Sequence, residues 1–84
     1  MKFIAEIDVM PLKELLDPQG KTVVKNMKNI DITGVSDVRI GKHISMSFEA
    51  ESEAVANEKV DTACKKLLSN VIMESYTYTL KSAD

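Results

Sequence analysis

Three stretches of this chain alternate apolar and polar residues one for one, and that alternation limits its fold more sharply than anything else in it. In residues 2–10, Phe3, Ala5, Ile7 and Val9 fall on one side and Lys2, Glu6 and Asp8 on the other. In residues 43–49, Ile44, Met46 and Phe48 share a side; in residues 72–81, Ile72, Glu74, Tyr76, Tyr78 and Leu80 alternate with Met73, Ser75, Thr77, Thr79 and Lys81. A period of two marks a strand buried on one face. Three such strands make a sheet whose apolar face must be covered by elements of a different period.

Two helical segments are available to cover it. Asp17 followed by Pro18 pairs a capping carboxylate with a proline at the first helical position, so a helix is predicted to start at Pro18. Val23, Val24, Met27 and Ile30 then share one face and Lys21, Lys25 and Lys28 another, with the end expected within residues 29–34. Ser52 caps the second helix, along which Ala56, Val60, Ala63, Cys64, Leu67, Leu68 and Val71 keep helical spacing. Glu53 sits in its first turn and Lys65 and Lys66 near its end, as the helix dipole favours.

The order predicts an α+β fold, two helices packed on one face of an antiparallel three- or four-stranded sheet. The strand count turns on residues 35–42. Val35 to Ile40 followed by Gly41-Lys42 reads as a strand entering a tight hairpin, or as a glycine bulge in one long bent strand. Residues 81–84 are expected to fray. The opposite sheet face carries Ile4, Glu6, Asp8, Ser45, Ser47, Ser75, Thr77 and Thr79. It is either open to water or paired with the sheet of a second copy.

The 84 residues, 9.3 kDa, form a single domain spanning 1–84. A chain this short buries only ~60–65% of its extended surface on folding, so self-association would stabilise it. Eleven Lys and Arg against thirteen Asp and Glu give a net charge of −2, which argues against nucleic acid or an anionic membrane as partner. Apolar runs such as Val71-Ile72-Met73 fall far below the ~20 residues that cross a bilayer. Glu6 and Asp8 interrupt any signal-peptide core, so the protein is expected in the cytoplasm.

Little in the sequence suggests chemistry. The lone His43 has Lys42 and Ile44 beside it, neither a nucleophile nor a carboxylate, and is read as a surface strand residue. The lone Cys64 lies on the inward helix face, where a thiol packs as a small hydrophobe. One Cys and one His leave no internal disulfide and no zinc cluster. Glu49, Glu51 and Glu53 lack the glycine and oxygen-rich positions of a calcium loop. Asp17-Pro18-Gln19-Gly20-Lys21 opens a helix but lacks the glycines of a phosphate loop. Gly20 costs about 1 kcal/mol against alanine inside a helix, a hint that another backbone or a partner comes close. Arg39, Lys42 and His43 cluster around Gly41 in a basic turn, either solvated or binding an anion or an acidic partner surface. No catalytic, cofactor or metal site is expected.

Leu16-Asp17-Pro18-Gln19-Gly20, then Val35-Ser36-Asp37-Val38-Arg39-Ile40-Gly41-Lys42, then Cys64-Lys65-Lys66-Leu67-Leu68-Ser69-Asn70 leading to Glu74 and Tyr76, form a set in a fixed order. With it the chain resembles the PurS family, the small subunits of phosphoribosylformylglycinamidine synthase, from about Lys2 to Leu80. It departs from the family at His43, where an aromatic is frequent, at Val71, where Pro or Thr is, and at Ile30-Asp31, where a Leu-Gly-like turn usually ends the first helix.

The resemblance implies a role in purine biosynthesis, in the glutamine- and ATP-dependent amidination of formylglycinamide ribonucleotide. ATP and Mg would belong to the large synthetase subunit, PurL, and ammonia release to the glutaminase subunit, PurQ. This chain would be a non-catalytic homodimer joining them, binding no cofactor itself. Asp17, Gln19, Gly20, Lys21, Arg39, Gly41 and Lys42 are the expected contacts with partner chains. The alternative is a free-standing dimeric module of βαββαβ type that binds a small regulatory ligand.

Overall fold

The strand with the most completely apolar alternation takes the centre of the sheet. β1, Lys2–Pro11, lies between β2, Lys42–Glu49, and β3, Glu74–Ser82, both antiparallel to it. The computed structural model describes every residue except Glu14, Leu16 and Asp84. Leu16, which opens the first family motif, and Asp84, the last residue of the expected frayed tail, therefore lie outside the described residues. Ile7 stands opposite Ile44 on one side and Tyr78 on the other, so the three inward faces fall into register. The same pairing places Asp8 opposite His43 and Glu6 opposite Ser45 on the outward face.

α2, Glu53–Ala63, begins where Ser52 Oγ accepts the Val55 N–H at 3.3 Å. Its Val60 and Cys64 pack on Ala5, Ile7 and Val9, all fully buried, with Ile44, Met46, Tyr76, Tyr78 and Leu80 partly buried around them. Ala56 and Ala50 meet Phe3 in a second cluster, where the Phe3 and Phe48 rings stack with centroids 6.0 Å apart. Tyr76 ties helix to sheet by donating its O–H to Asp61 at 2.6 Å, which pushes its own pKa up to about 12.

α1, Pro18–Met27, runs into a 3-10 turn at Lys28–Ile30. Asp31 closes it in the left-handed conformation, φ 62°, and the Ile32 N–H returns to the Met27 carbonyl at 3.0 Å. Two helices and a three-stranded antiparallel sheet thus make up the α+β fold. The molecule is nonetheless long and flat, with extents of 51 × 27 × 15 Å. Among the described residues, no helix is long and apolar enough to cross a membrane.

Four expectations are corrected. Residues 35–40 form no strand, so Gly41-Lys42 is neither a hairpin turn nor a bulge; β2 simply starts at Lys42. Residues 39–41 are instead drawn onto the end of β1, as described below. Leu67 does not join the core: after Ala63 the helix widens into a π-turn, Cys64–Leu68, which shifts the phase so that Leu68 packs inward and Leu67 turns out. Val71, Ile72 and Met73 belong to neither helix nor strand but to an exposed turn, because Asn70 reverses the chain before Glu74. Lys81 and Ser82 are part of β3, and the Ala83 N–H donates to the Lys2 carbonyl at 2.8 Å, so pairing continues past the expected end at Leu80.

Candidate functional site

The first two family motifs lie far apart in sequence and fold against each other. Asp17 caps α1 by accepting the Gly20 N–H on Oδ1 at 3.0 Å, and its Oδ2 accepts the Ile40 N–H at 2.9 Å. The Gly20 and Ile40 N–H groups, with the nearby Arg39 charge, hold the Asp17 carboxyl below its usual range. The Arg39 guanidinium donates to three successive carbonyls of the β1–α1 connection: Nη2 to Pro11 at 2.8 Å and to Leu12 at 2.7 Å, Nη1 to Lys13 at 3.2 Å.

Both glycines are required by close approach. A Cβ on Gly20 would lie 1.8 Å from the Val38 carbonyl oxygen, and one on Gly41 would lie 2.2 Å from that of Val9. The helix start, residues 38–41 and the end of β1 therefore form one clamp in which both carboxylate oxygens of Asp17 and most donors of Arg39 bond within the chain. Of the seven expected contact residues, Asp17, Gly20, Arg39 and Gly41 build this clamp. Gln19, Lys21 and Lys42 stand exposed at its surface, and among the described residues no carboxylate lies within ion-pair distance of either lysine. A groove of about 350 Å³ runs beside it, bounded by Pro11, Leu15, Pro18, Ile40 and Met73. Two carboxylates also line it, Asp17 and Glu74, and each accepts backbone N–H groups.

His43 is the surface strand residue that the sequence reading expects, exposed on β2, but with partners that reading did not include. Its chain neighbours offer no carboxylate, but strand pairing brings two: Nδ1 lies 2.6 Å from Asp8 Oδ1 and Nε2 2.6 Å from Glu6 Oε2, while Ser45 Oγ donates to Glu6 Oε1 at 3.0 Å. The bonds to Asp8, then Glu6, raise the His43 pKa, and the bond to His43 lowers that of Glu6. A carboxylate on each ring nitrogen favours the imidazolium, the form in which both nitrogens donate and neither keeps a lone pair. The cross-strand register Asp8 to His43 was the signal that could have found this row, once residues 2–10 and 43–49 were aligned antiparallel. Cys64 is fully buried, and burial pushes its thiol above the usual range, which leaves it unreactive.

The clamp, a groove whose two carboxylates are tied to backbone N–H groups, and a histidine bonded to two carboxylates are the polar features the fold assembles. The family model described as PurS, phosphoribosylformylglycinamidine (FGAM) synthase, matches residues 4–82. The chain is 39% identical over 70 residues to the phosphoribosylformylglycinamidine synthase subunit PurS of Synechocystis sp., covering 83% of this chain and 70% of that one. It is 38% identical over 71 residues to the subunit of the same name from Bacillus subtilis, covering 83% of each. Among solved structures, a chain in the structure of PurLQS from Thermotoga maritima superimposes with a TM-score of 0.86 at 32% identity, over 96% of this chain and 99% of that one.

Proposed function

The chain belongs to the PurS family, and on that premise we propose that it is the small, non-catalytic subunit of a phosphoribosylformylglycinamidine synthase in purine biosynthesis. It joins the large synthetase subunit, PurL, to the glutaminase subunit, PurQ. ATP and Mg are used on the large subunit, glutamine is hydrolysed on the glutaminase, and this chain binds neither. It works in the cytoplasm as a homodimer.

The observation that carries this reading is the clamp. Four residues of the motifs that the chain shares with the family, Asp17, Gly20, Arg39 and Gly41, are bonded or packed within the chain, where they fix the shape of its surface. Such a protein contributes by holding others in place. Ammonia in neutral water is mostly ammonium, which is no nucleophile, so glutamine-derived nitrogen must pass between two active sites without meeting bulk solvent. Fixing two subunits in one relative orientation achieves this, because binding energy then replaces the entropy of an encounter.

The test is amidination by the purified large and glutaminase subunits, with and without this chain, supplied with glutamine or with an ammonium salt. Restoration of the glutamine-dependent rate alone is expected. If the rate with glutamine does not respond to the chain and no complex of the three elutes from a sizing column, the scaffold reading is wrong.

A further inference from the structure

β2 lies at an edge of the sheet. Among the described residues no strand pairs with its outer side, and Ile44 and Met46 on its inward face are only half-buried, so its hold on the sheet rests on β1. The outward face adds a tie that crosses the two strands three times. His43 Nδ1 lies 2.6 Å from Asp8 Oδ1 and Nε2 2.6 Å from Glu6 Oε2, and Ser45 Oγ donates to Glu6 Oε1 at 3.0 Å. Asp8 stands opposite His43 in the register and Glu6 opposite Ser45, so one ring spans two successive outward rungs. Just before it the chain leaves the clamp, where Gly41 packs on the Val9 carbonyl and Lys42 opens the strand.

Only the protonated ring can bridge both acids. A carboxylate accepts and cannot donate, so each contact needs an N–H from the ring. The neutral ring has one N–H, and its other nitrogen then presents a lone pair to a carboxylate oxygen 2.6 Å away, a contact that must open. Loss of the proton also leaves Glu6 and Asp8, neighbours on one face of β1, with no positive charge between them. Among the described residues no other cation bonds to this row. On β3, Thr77 and Thr79 opposite the two acids are uncharged, and Lys81, opposite Ile4, acts on Glu6 only through its field. On β2, Lys42 falls in the alternate phase and Glu49 lies at the far end of the strand, opposite Lys2. α2 packs on the other face of the sheet.

We propose that His43 is a proton-operated latch: protonated, it fastens the start of β2 to β1; neutral, it lets residues 42–46 part from β1 while β3 and α2 stay in place. The bonds to Asp8, then Glu6, raise the His43 pKa, so the tie is complete below the ordinary histidine value of 6.5 and is given up as pH rises through the folded one. On the acid side Glu6 sets the limit, because its lowered pKa keeps the carboxylate charged until pH falls below 4.5. Since the tie lies along one edge, its loss is a local opening of the sheet rather than global unfolding. The latch is a property of the chain by itself and does not depend on the scaffold reading.

The chain has a single histidine, so its ring proton resonances report the ionisation directly by NMR. Amide hydrogen exchange in the same sample, corrected for the intrinsic rise of exchange with pH, reports the opening. The ring should titrate with a midpoint above 6.5. Across that midpoint the amides that residues 42–46 donate to β1 should lose about tenfold in protection, while those of β3 and α2 hold theirs. Asp8→Asn should move the ring midpoint and the protection midpoint down together, and His43→Gln, neutral at every pH, should exchange at the alkaline rate throughout. A ring midpoint at or below 6.5, or β2 protection that stays flat through the titration, overturns the latch. Equal losses in β2, β3 and α2 overturn it as well, since the proton would then act on global stability. So does a ring midpoint that shifts in Asp8→Asn while the protection midpoint stays where it was.

Discussion

Asp17 and Gly20 show how single residues carry this fold. Asp17 would cap any helix, but its second oxygen also anchors Ile40, and Gly20 lets the Val38 carbonyl reach the helix. Gly20→Ala gains about 1 kcal/mol of helix propensity and is still expected to destabilise the chain by roughly 1–3 kcal/mol net, since the new methyl meets backbone that cannot retreat. Urea unfolding measures the sign, and a stabilised variant would mean that residues 38–40 detach at little cost. His43 gives the second residue-scale prediction. Its raised pKa contributes stability that is fully present below the unfolded value of 6.5 and is lost as pH rises through the folded one. The lowered Glu6 pKa contributes stability present above 4.5 and lost as pH falls through the folded value. His43→Ala should therefore cost most between pH 4.5 and 6.5 and progressively less on either side. A cost independent of pH would mean that the ring acts only by packing. The helix glycine was legible as a sign of close approach. The targets of Arg39 were not, because they lie 26 to 28 residues away and are carbonyls, which every residue has.

At the scale of elements, alternation read all three strands correctly in kind, because each has one face on the core and one outside it. What it could not read was phase after a change of helix type. Residues 56, 60 and 64 follow α-helical spacing and are all buried, and the same spacing puts Leu67 and Leu68 side by side at the edge of the core. Only the π-turn decides between them. Leu68→Ala is expected to cost about 1–3 kcal/mol, less than a fully buried leucine because Leu68 is only partly covered, whereas Leu67→Ala should be neutral within about 0.5 kcal/mol. Thermal melts of the two variants decide it. Equal losses would show that the helix continues as α in solution and that the outward Leu67 does not persist. Residues 35–40 failed as a strand for another reason. Their apolar residues alternate only in part, Val38 and Arg39 are both half-buried, and the Arg39 side chain is pulled to the β1–α1 connection, so no neighbouring strand is offered to them.

The whole molecule is too extended to be finished as one chain. A compact domain of this length has a radius of gyration near ~12 Å, and this chain has 16.6 Å. The excess goes with α1 and the strandless residues 32–41. Val23, Val24 and Met27 are only half-buried and belong to neither core cluster, while Ile30 and Ile32 are exposed. On the sheet itself, Ile44 and Met46 of β2 are half-covered, and among the described residues no strand pairs with the outer edge of β2. Apolar surface left open on both an arm and an adjacent strand edge is what a second copy covers by laying the same two features across its partner, since a two-fold contact uses each patch twice. The chain should accordingly sediment at twice its 9.3 kDa mass. Ile30→Asp with Ile32→Asp, both solvent-facing in the single chain, should yield monomers whose sheet and α2 still fold, with a lower melting temperature that no longer rises with protein concentration. That dependence separates lost association from lost folding, because a two-state monomer melts at one temperature whatever its concentration. A wild-type chain that sediments as a monomer would assign the open α1 face to a different protein.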